Sequence, residues 1–203
     1  MAAMLNVPEA PHTQSTRKAE LFGGAVTATL PGPWVDMAAL GQPPPDNQEV
    51  FCAPRQPNSS GESIIFEVVE RAAVGDGAAA AFFFEDVAET GGAAERTLLA
   101  TGSVPPLRSG AASVQIALGT MLLSKTGVVG APHAVDVGVA AFRFPEEATD
   151  FVVTVNVPAL SGSRLPAENA AVAHLLASGA AGMAVLRDVV ASLVVNRSLF
   201  ASS

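Results

Sequence analysis

Asp46, Asn47, Gln48 and Glu49 place two carboxylates and two carboxamides in a row, directly after Pro43, Pro44 and Pro45 and directly before Val50-Phe51. Two acids this close are the raw material of acid–base catalysis, which needs a pocket that pushes their pKa values apart. A proline run instead puts the pair where solvent is near, so a catalytic pair is the weakest interpretation. Two others stay open. Asp46 suits a structured turn, its carboxylate bonding nearby backbone N–H groups. The quartet also suits a binding epitope, because the prolines lower the cost of ordering it on docking. Val50 and Phe51 serve in both as the apolar anchors of the loop.

Other patterns fall short of a site. The stretch GTMLLSKT, residues 119–126, approaches a phosphate-binding loop, but that pattern requires glycine where Ser124 stands. Its Met121-Leu122-Leu123 core reads as strand. GDGAAA, from Gly75, lacks the third glycine of a dinucleotide fingerprint and is better read as a helix start with Asp76 as N-cap. There is no G-x-S-x-G nucleophile elbow. His12, His133 and His174 fall in three unrelated segments, so neither a nucleophile–base pair nor a metal site converges on them. Asn58-Ser59-Ser60 and Asn196-Arg197-Ser198 match the glycosylation pattern by chance, as no secretory signal accompanies them. Neither a metal nor a cofactor is expected.

The elements that must position the quartet are legible in the hydrophobic pattern. GAVTATLP from Gly24 alternates as a strand and stops at Pro31. Trp34, Met37 and Leu40 recur at helical spacing and predict a short helical turn. QEVFCAP is a short β-prone segment, and RQPNSSGE over 55–62 a polar hairpin-like loop. SIIFEVVER reads as a central strand buried on both faces. GDGAAAAFFFEDVAETGG, residues 75–92, predicts the first full helix, rich in alanine and stopped by Gly91-Gly92. Strands follow over 96–103, 112–124 and 133–144, then TDFVVTVNVP. Helical sequence is expected over 167–178. A last helix over 181–193 carries Met183, Leu186, Val189, Val190 and Leu193 on one face, with Arg187 and Asp188 opposite. Loops rather than helices join most strands, which predicts an α+β protein with a largely antiparallel sheet.

Composition sets the outer limits. A chain of 203 residues with 49% hydrophobic and 15% charged residues is long and apolar enough for one core. Residues 1–19 are polar and read as a mobile arm; residues 20–200 read as a single domain. The net charge of −8 argues against nucleic acid and anionic membrane, both of which select clustered Lys and Arg. Cys52 is the sole cysteine, which excludes an intrachain disulfide and favours a reducing compartment. The most hydrophobic stretch, 175–195, is broken by Arg187 and Asp188, so a soluble, intracellular protein is expected.

Taken in order, ELFGGAVTATLP (20–31), WVDMAAL (34–40), PDNQEVF (45–51), SIIFEVVE (63–70), FFFEDVAE (82–89), VGVAAFRF (137–144), TDFVVTVNVP (149–158) and SLF (198–200) resemble the Ran guanine nucleotide release factor family. PDNQEVF is the distinctive member of the set. The resemblance implies about six mainly antiparallel strands sandwiched between helices, similar to the PsbP-type extrinsic photosystem proteins. It implies a monomeric, non-catalytic protein that binds the GTPase Ran and promotes guanine nucleotide release. It places the Ran-contacting surface at Asp46, Asn47, Gln48 and Glu49, with Asp36, Glu67 and Glu70 as extensions of an acidic face. Residues 90–133 and 159–182 match little, so no contact is carried over to them. The competing expectation is a PsbP-like scaffold or small-ligand module that shares only the fold; it does not require PDNQEVF.

Overall fold

A computed structural model describes residues 15–54, 61–123, 133–158, 172 and 183–200. His12, His174, Asn58-Ser59-Ser60, most of the 55–62 loop and, Val172 apart, the 167–178 helix lie outside the described residues.

The main sheet runs in the order β3 (Val35–Asp36), β4 (Gln48–Cys52), β5 (Ser63–Glu70), β9 (Thr149–Pro158), β8 (His133–Phe144), β7 (Ser113–Leu123) and β6 (Ala93–Val104). Every pairing in it is antiparallel. It is α+β and largely antiparallel, as the sequence predicts, with seven strands where about six were expected. A second sheet orders β1 (Thr16–Leu21), β2 (Val26–Pro31) and β10 (Val194–Val195).

Two apolar layers fix this arrangement. The helix α1 (Ala79–Thr90) buries Ala80, Phe83, Phe84 and Ala88 against Ala117, Met121, Val137 and Val139 on one face of the main sheet. The second sheet and α2 (Met183–Ser192) cover the other face. There Met183, Leu186, Val189, Val190 and Leu193 all turn inward, the stripe predicted from sequence. At Gly138 a Cβ would stand 2.8 Å from Leu186 Cδ2 and Met183 Sδ, so any side chain there would displace the tips of the α2 residues packed on β8. Strands β8 and β9 are buried almost throughout because both faces are covered.

Four local expectations change. The strand β1 starts at Thr16, within the stretch read as an arm. It points only Ala19 and Leu21 at the core, too little apolar signal to be read as a strand. Trp34 is a core residue and Val35–Asp36 a short strand, leaving the helical turn to Ala38–Leu40. Asp76 is not the helix cap: α1 opens at Ala78 without a side-chain cap, and Asp76 Oδ1 instead accepts from Arg71 Nη2 at 3.0 Å. The strand β5 buries Ile64 and Phe66 fully, but Ser63, Ile65 and Glu67 on its other face only in part. The cause is the position of α1, which lies over β6, β7 and β8 rather than β5.

One end of α1 is fastened by ions. Arg143 and Asp150 stand opposite each other on β8 and β9, both without solvent exposure, with Nε and Oδ1 2.9 Å apart. Arg143 Nη2 donates to the carbonyls of Ala72 (2.9 Å) and Val74 (3.2 Å), and Asp150 Oδ2 accepts from Ala72 N–H at 3.0 Å. The pair thereby ties the β5–α1 connection down to the sheet.

Candidate functional site

The quartet is divided by the geometry of the strand it enters. Gln48 N–H donates to the Pro45 carbonyl at 2.8 Å, closing a turn that leaves Asp46 and Asn47 exposed at its tip. Gln48 and Glu49 already belong to β4, and successive strand side chains point to opposite faces. The turn runs directly into the strand that the β-prone QEVFCAP predicts. Phe51 is the true root: 4% exposed, edge-on to Phe66 at 6.1 Å between ring centres, with the Arg17 guanidinium 5.6 Å from its own ring centre. Val50 is half-buried on the opposite face.

On the α1 face, Gln48 meets Glu67 across the β4–β5 pair, and its Nε2 donates to Glu67 Oε1 at 2.7 Å. Asn47 Nδ2 reaches the same oxygen at 3.4 Å and the Val68 carbonyl at 3.2 Å, while its own carbonyl accepts from Val68 N–H at 2.9 Å. These bonds fix both carboxamides and hold the Glu67 carboxylate in place.

On the other face, the half-buried Glu49 accepts a hydrogen bond from the Phe22 N–H. Phe22, Gly23 and Gly24 have φ of +50°, +65° and +90°, three consecutive residues in left-handed backbone. For Phe22 this conformation costs about 1–3 kcal/mol and persists only when the surroundings enforce it. Glu49 enforces it on one side, and the edge-on packing of the Phe22 ring against Phe151 (5.9 Å) on the other. Burial pushes the Glu49 carboxyl above its ordinary pKa; the Phe22 N–H opposes this and the nearby Asp36 charge adds to it. Asp36 is partly buried, and its Oδ1 accepts from Ala38 N–H at 2.8 Å.

The structure thus brings Asn47, Gln48 and Glu67 together on one face and Asp36 and Glu49 on the other, with Asp46 at the tip between them. Glu70 stands apart, exposed at the end of β5 opposite Thr149. Sequence reasoning missed Arg17 and the Phe22–Gly24 turn. The signal for the turn was there: an aromatic followed by two glycines, the residues that tolerate positive φ. The phosphate-loop candidate is excluded by its backbone, since Gly119 to Leu123 are ladder residues of β7 paired on both sides.

A seven-stranded antiparallel sheet faced by helices, with acids and carboxamides gathered at its β3–β4 edge, defines an α+β sandwich with an acidic margin. Comparison with known proteins gives the family. Residues 19–158 match the family described as Ran-interacting Mog1 protein. The chain is 35% identical to the Ran guanine nucleotide release factor of Homo sapiens over 153 residues, 71% of this chain and 77% of that protein. It is equally 35% identical to the protein of that name from Danio rerio over 144 residues, 68% of this chain and 76% of the other. The crystal structure of the Saccharomyces cerevisiae Ran-binding protein Mog1p superposes with a TM-score of 0.69 at 26% identity, covering 93% of this chain and all of that one (100%). The chain belongs to the Mog1 family of Ran-interacting proteins.

Proposed function

We propose that the protein binds the small GTPase Ran and promotes release of its guanine nucleotide, and so regulates nucleocytoplasmic protein transport. The observation that carries this reading is the placement of the 45–51 segment within a family match spanning 19–158. That segment folds as a tethered turn and strand whose Asp46 and Asn47 are exposed, beside the acids Asp36, Glu49 and Glu67. Such a margin, on a chain of net charge −8, complements a basic surface.

The activity is regulation by binding, with no bond-making step of the protein's own. Asp46 and Glu49 pair with basic groups on Ran, and Asn47 and Gln48 supply carboxamide contacts between them. Association favours Ran conformations that hold nucleotide weakly, which is the general way a ligand shifts a two-state equilibrium. The coupling is reciprocal: a factor that loosens nucleotide must bind nucleotide-free Ran more tightly by the same ratio. The protein works as a monomer, in nucleus and cytoplasm.

Calorimetric titration against GDP-bound, GTP-bound and nucleotide-free Ran tests the reading. Measurable binding, tightest to the nucleotide-free form, is expected. Absence of binding to all three states contradicts it.

A further inference from the structure

The α1 face of the main sheet is unevenly covered. The helix packs on β6, β7 and β8, so a groove of about 480 Å³ opens between its C-terminal end and strands β4, β5 and β9. Its floor is mostly apolar, with Ile65 half-buried and Val135 and Met121 deeper, and carries the polar side chains of Thr154 and Asn156 beside them. Two charged carboxylates line it, Glu67 from β5 and Asp86 from the exposed side of α1. A mostly apolar floor between two acids selects an apolar side chain next to a cation.

The groove is continuous with the quartet. Gln48 lines it, and its amide bond to Glu67 Oε1 joins the groove wall to the turn at Asp46 and Asn47. A partner chain laid across that turn on this face therefore meets Gln48 and Glu67 as it enters the groove.

We infer that the groove is the second half of the docking surface: it takes an extended segment of the same GTPase, one apolar side chain seated on Ile65 and an adjacent Lys or Arg between Glu67 and Asp86. The inference rests on the proposed Ran binding and extends it to Ile65 and Asp86, which the resemblance does not place on the contact surface. It also gives Glu67 a role distinct from that of Glu49: the first faces the groove, the second the Phe22 turn.

The test is titration of nucleotide-free Ran with four proteins: wild type, Asp86→Lys, Ile65→Lys and Asp46→Lys. Asp86 is exposed on the helix, so its reversal leaves the fold intact; thermal melting checks this for Ile65→Lys, and Ile65→Ala replaces it if the lysine variant fails to fold. Asp86→Lys and the Ile65 variant are each expected to weaken binding on the order of tenfold. Wild-type affinity in both, with Asp46→Lys weakened, overturns the groove and leaves the acidic margin standing. Absence of binding by wild type overturns both.

Discussion

Charge is used in two opposite ways at two places on this molecule's main sheet, its interior strands and its β3–β4 margin. Arg143 and Asp150 are wholly enclosed, face each other across β8 and β9, and hold the Ala72 and Val74 backbone. At the β3–β4 margin, Asp46 is exposed, Glu49 is half enclosed beside another acid, and no opposite charge lies within ion-pairing distance of either among the described residues. The first region uses its partner internally and fastens α1; the second keeps negative charge in want of a cation. The Arg143–Asp150 pair is a device of the fold, although burial pushes the Asp150 carboxyl above its ordinary pKa, with the Ala72 N–H and the Arg143 charge opposing. Uncompensated charge with a desolvation cost is what a docking surface carries before its partner arrives.

The largest effect expected from this contrast is on stability. Arg143→Ala leaves the Asp150 carboxylate enclosed without its cation and should cost about 3–5 kcal/mol in chemical denaturation. The double change Arg143→Met with Asp150→Leu should recover much of that loss, because removing both charges removes the uncompensated one. A double variant as unstable as Arg143→Ala would show that the hydrogen bonds to Ala72 and Val74, rather than the charges, do the fastening.

Reversing charge at the β3–β4 margin should show the inverse pattern. Asp46→Lys is expected to change unfolding free energy by no more than about 0.5 kcal/mol, as exposed substitutions do, while weakening Ran binding on the order of tenfold. Loss of stability with unchanged binding would assign Asp46 to the turn alone.

Glu49 lies between the two extremes, and its pH dependence sharpens the comparison. Its pKa in the folded protein is raised, chiefly by burial. Between the ordinary carboxylate value and that raised value, the folded state holds more protons than the unfolded one, so its contribution to stability falls as pH rises. At neutral pH the ionised group therefore opposes folding, and below the ordinary carboxylate value the penalty is gone. Glu49→Gln keeps an acceptor for the Phe22 N–H and removes the charge. It should melt modestly higher than wild type at neutral pH, with the gap closing on acidification, yet bind Ran more weakly. A variant that melts lower at neutral pH would mean that the charge itself is needed to hold the Phe22 turn.

The smallest effect is kinetic. Association of wild type with Ran should slow with added salt, since exposed charges act mainly by steering, and the dependence should flatten in Asp46→Lys. Stopped-flow measurement at two ionic strengths reads this directly.

Much of the frame was legible in the chain because strong periodicity and punctuation agree with the tertiary outcome. The inward stripe of α2, the stop at Gly91-Gly92 and the long strands β6 to β9 all follow from local pattern. The failures have one physical source, that tertiary neighbours decide exposure. SIIFEVVER looks buried on both faces, but α1 does not reach over Ile65. TRKAEL looks like an arm, yet it pairs along its whole length with β2. The quartet was legible as a polar cluster beside apolar anchors. Its division over two faces follows from the side-chain alternation of the strand that QEVFCAP predicts, but the link from Glu49 to Phe22 spans a separation no local pattern reveals. The Arg143–Asp150 pair was invisible for the same reason: each residue looks ordinary until the register sets them opposite.

On the proposed function, the Asp46–Glu49 margin acts on Ran while the enclosed ion pair serves only the fold. The most direct measurement is release of a fluorescent guanine nucleotide from Ran, comparing wild type, Asp46→Lys, Glu49→Gln and the Arg143→Met with Asp150→Leu double variant below its melting transition. Stimulated release by wild type and by the double variant, with slower release for both margin variants, is the predicted result. Undiminished stimulation by Asp46→Lys and Glu49→Gln would contradict it.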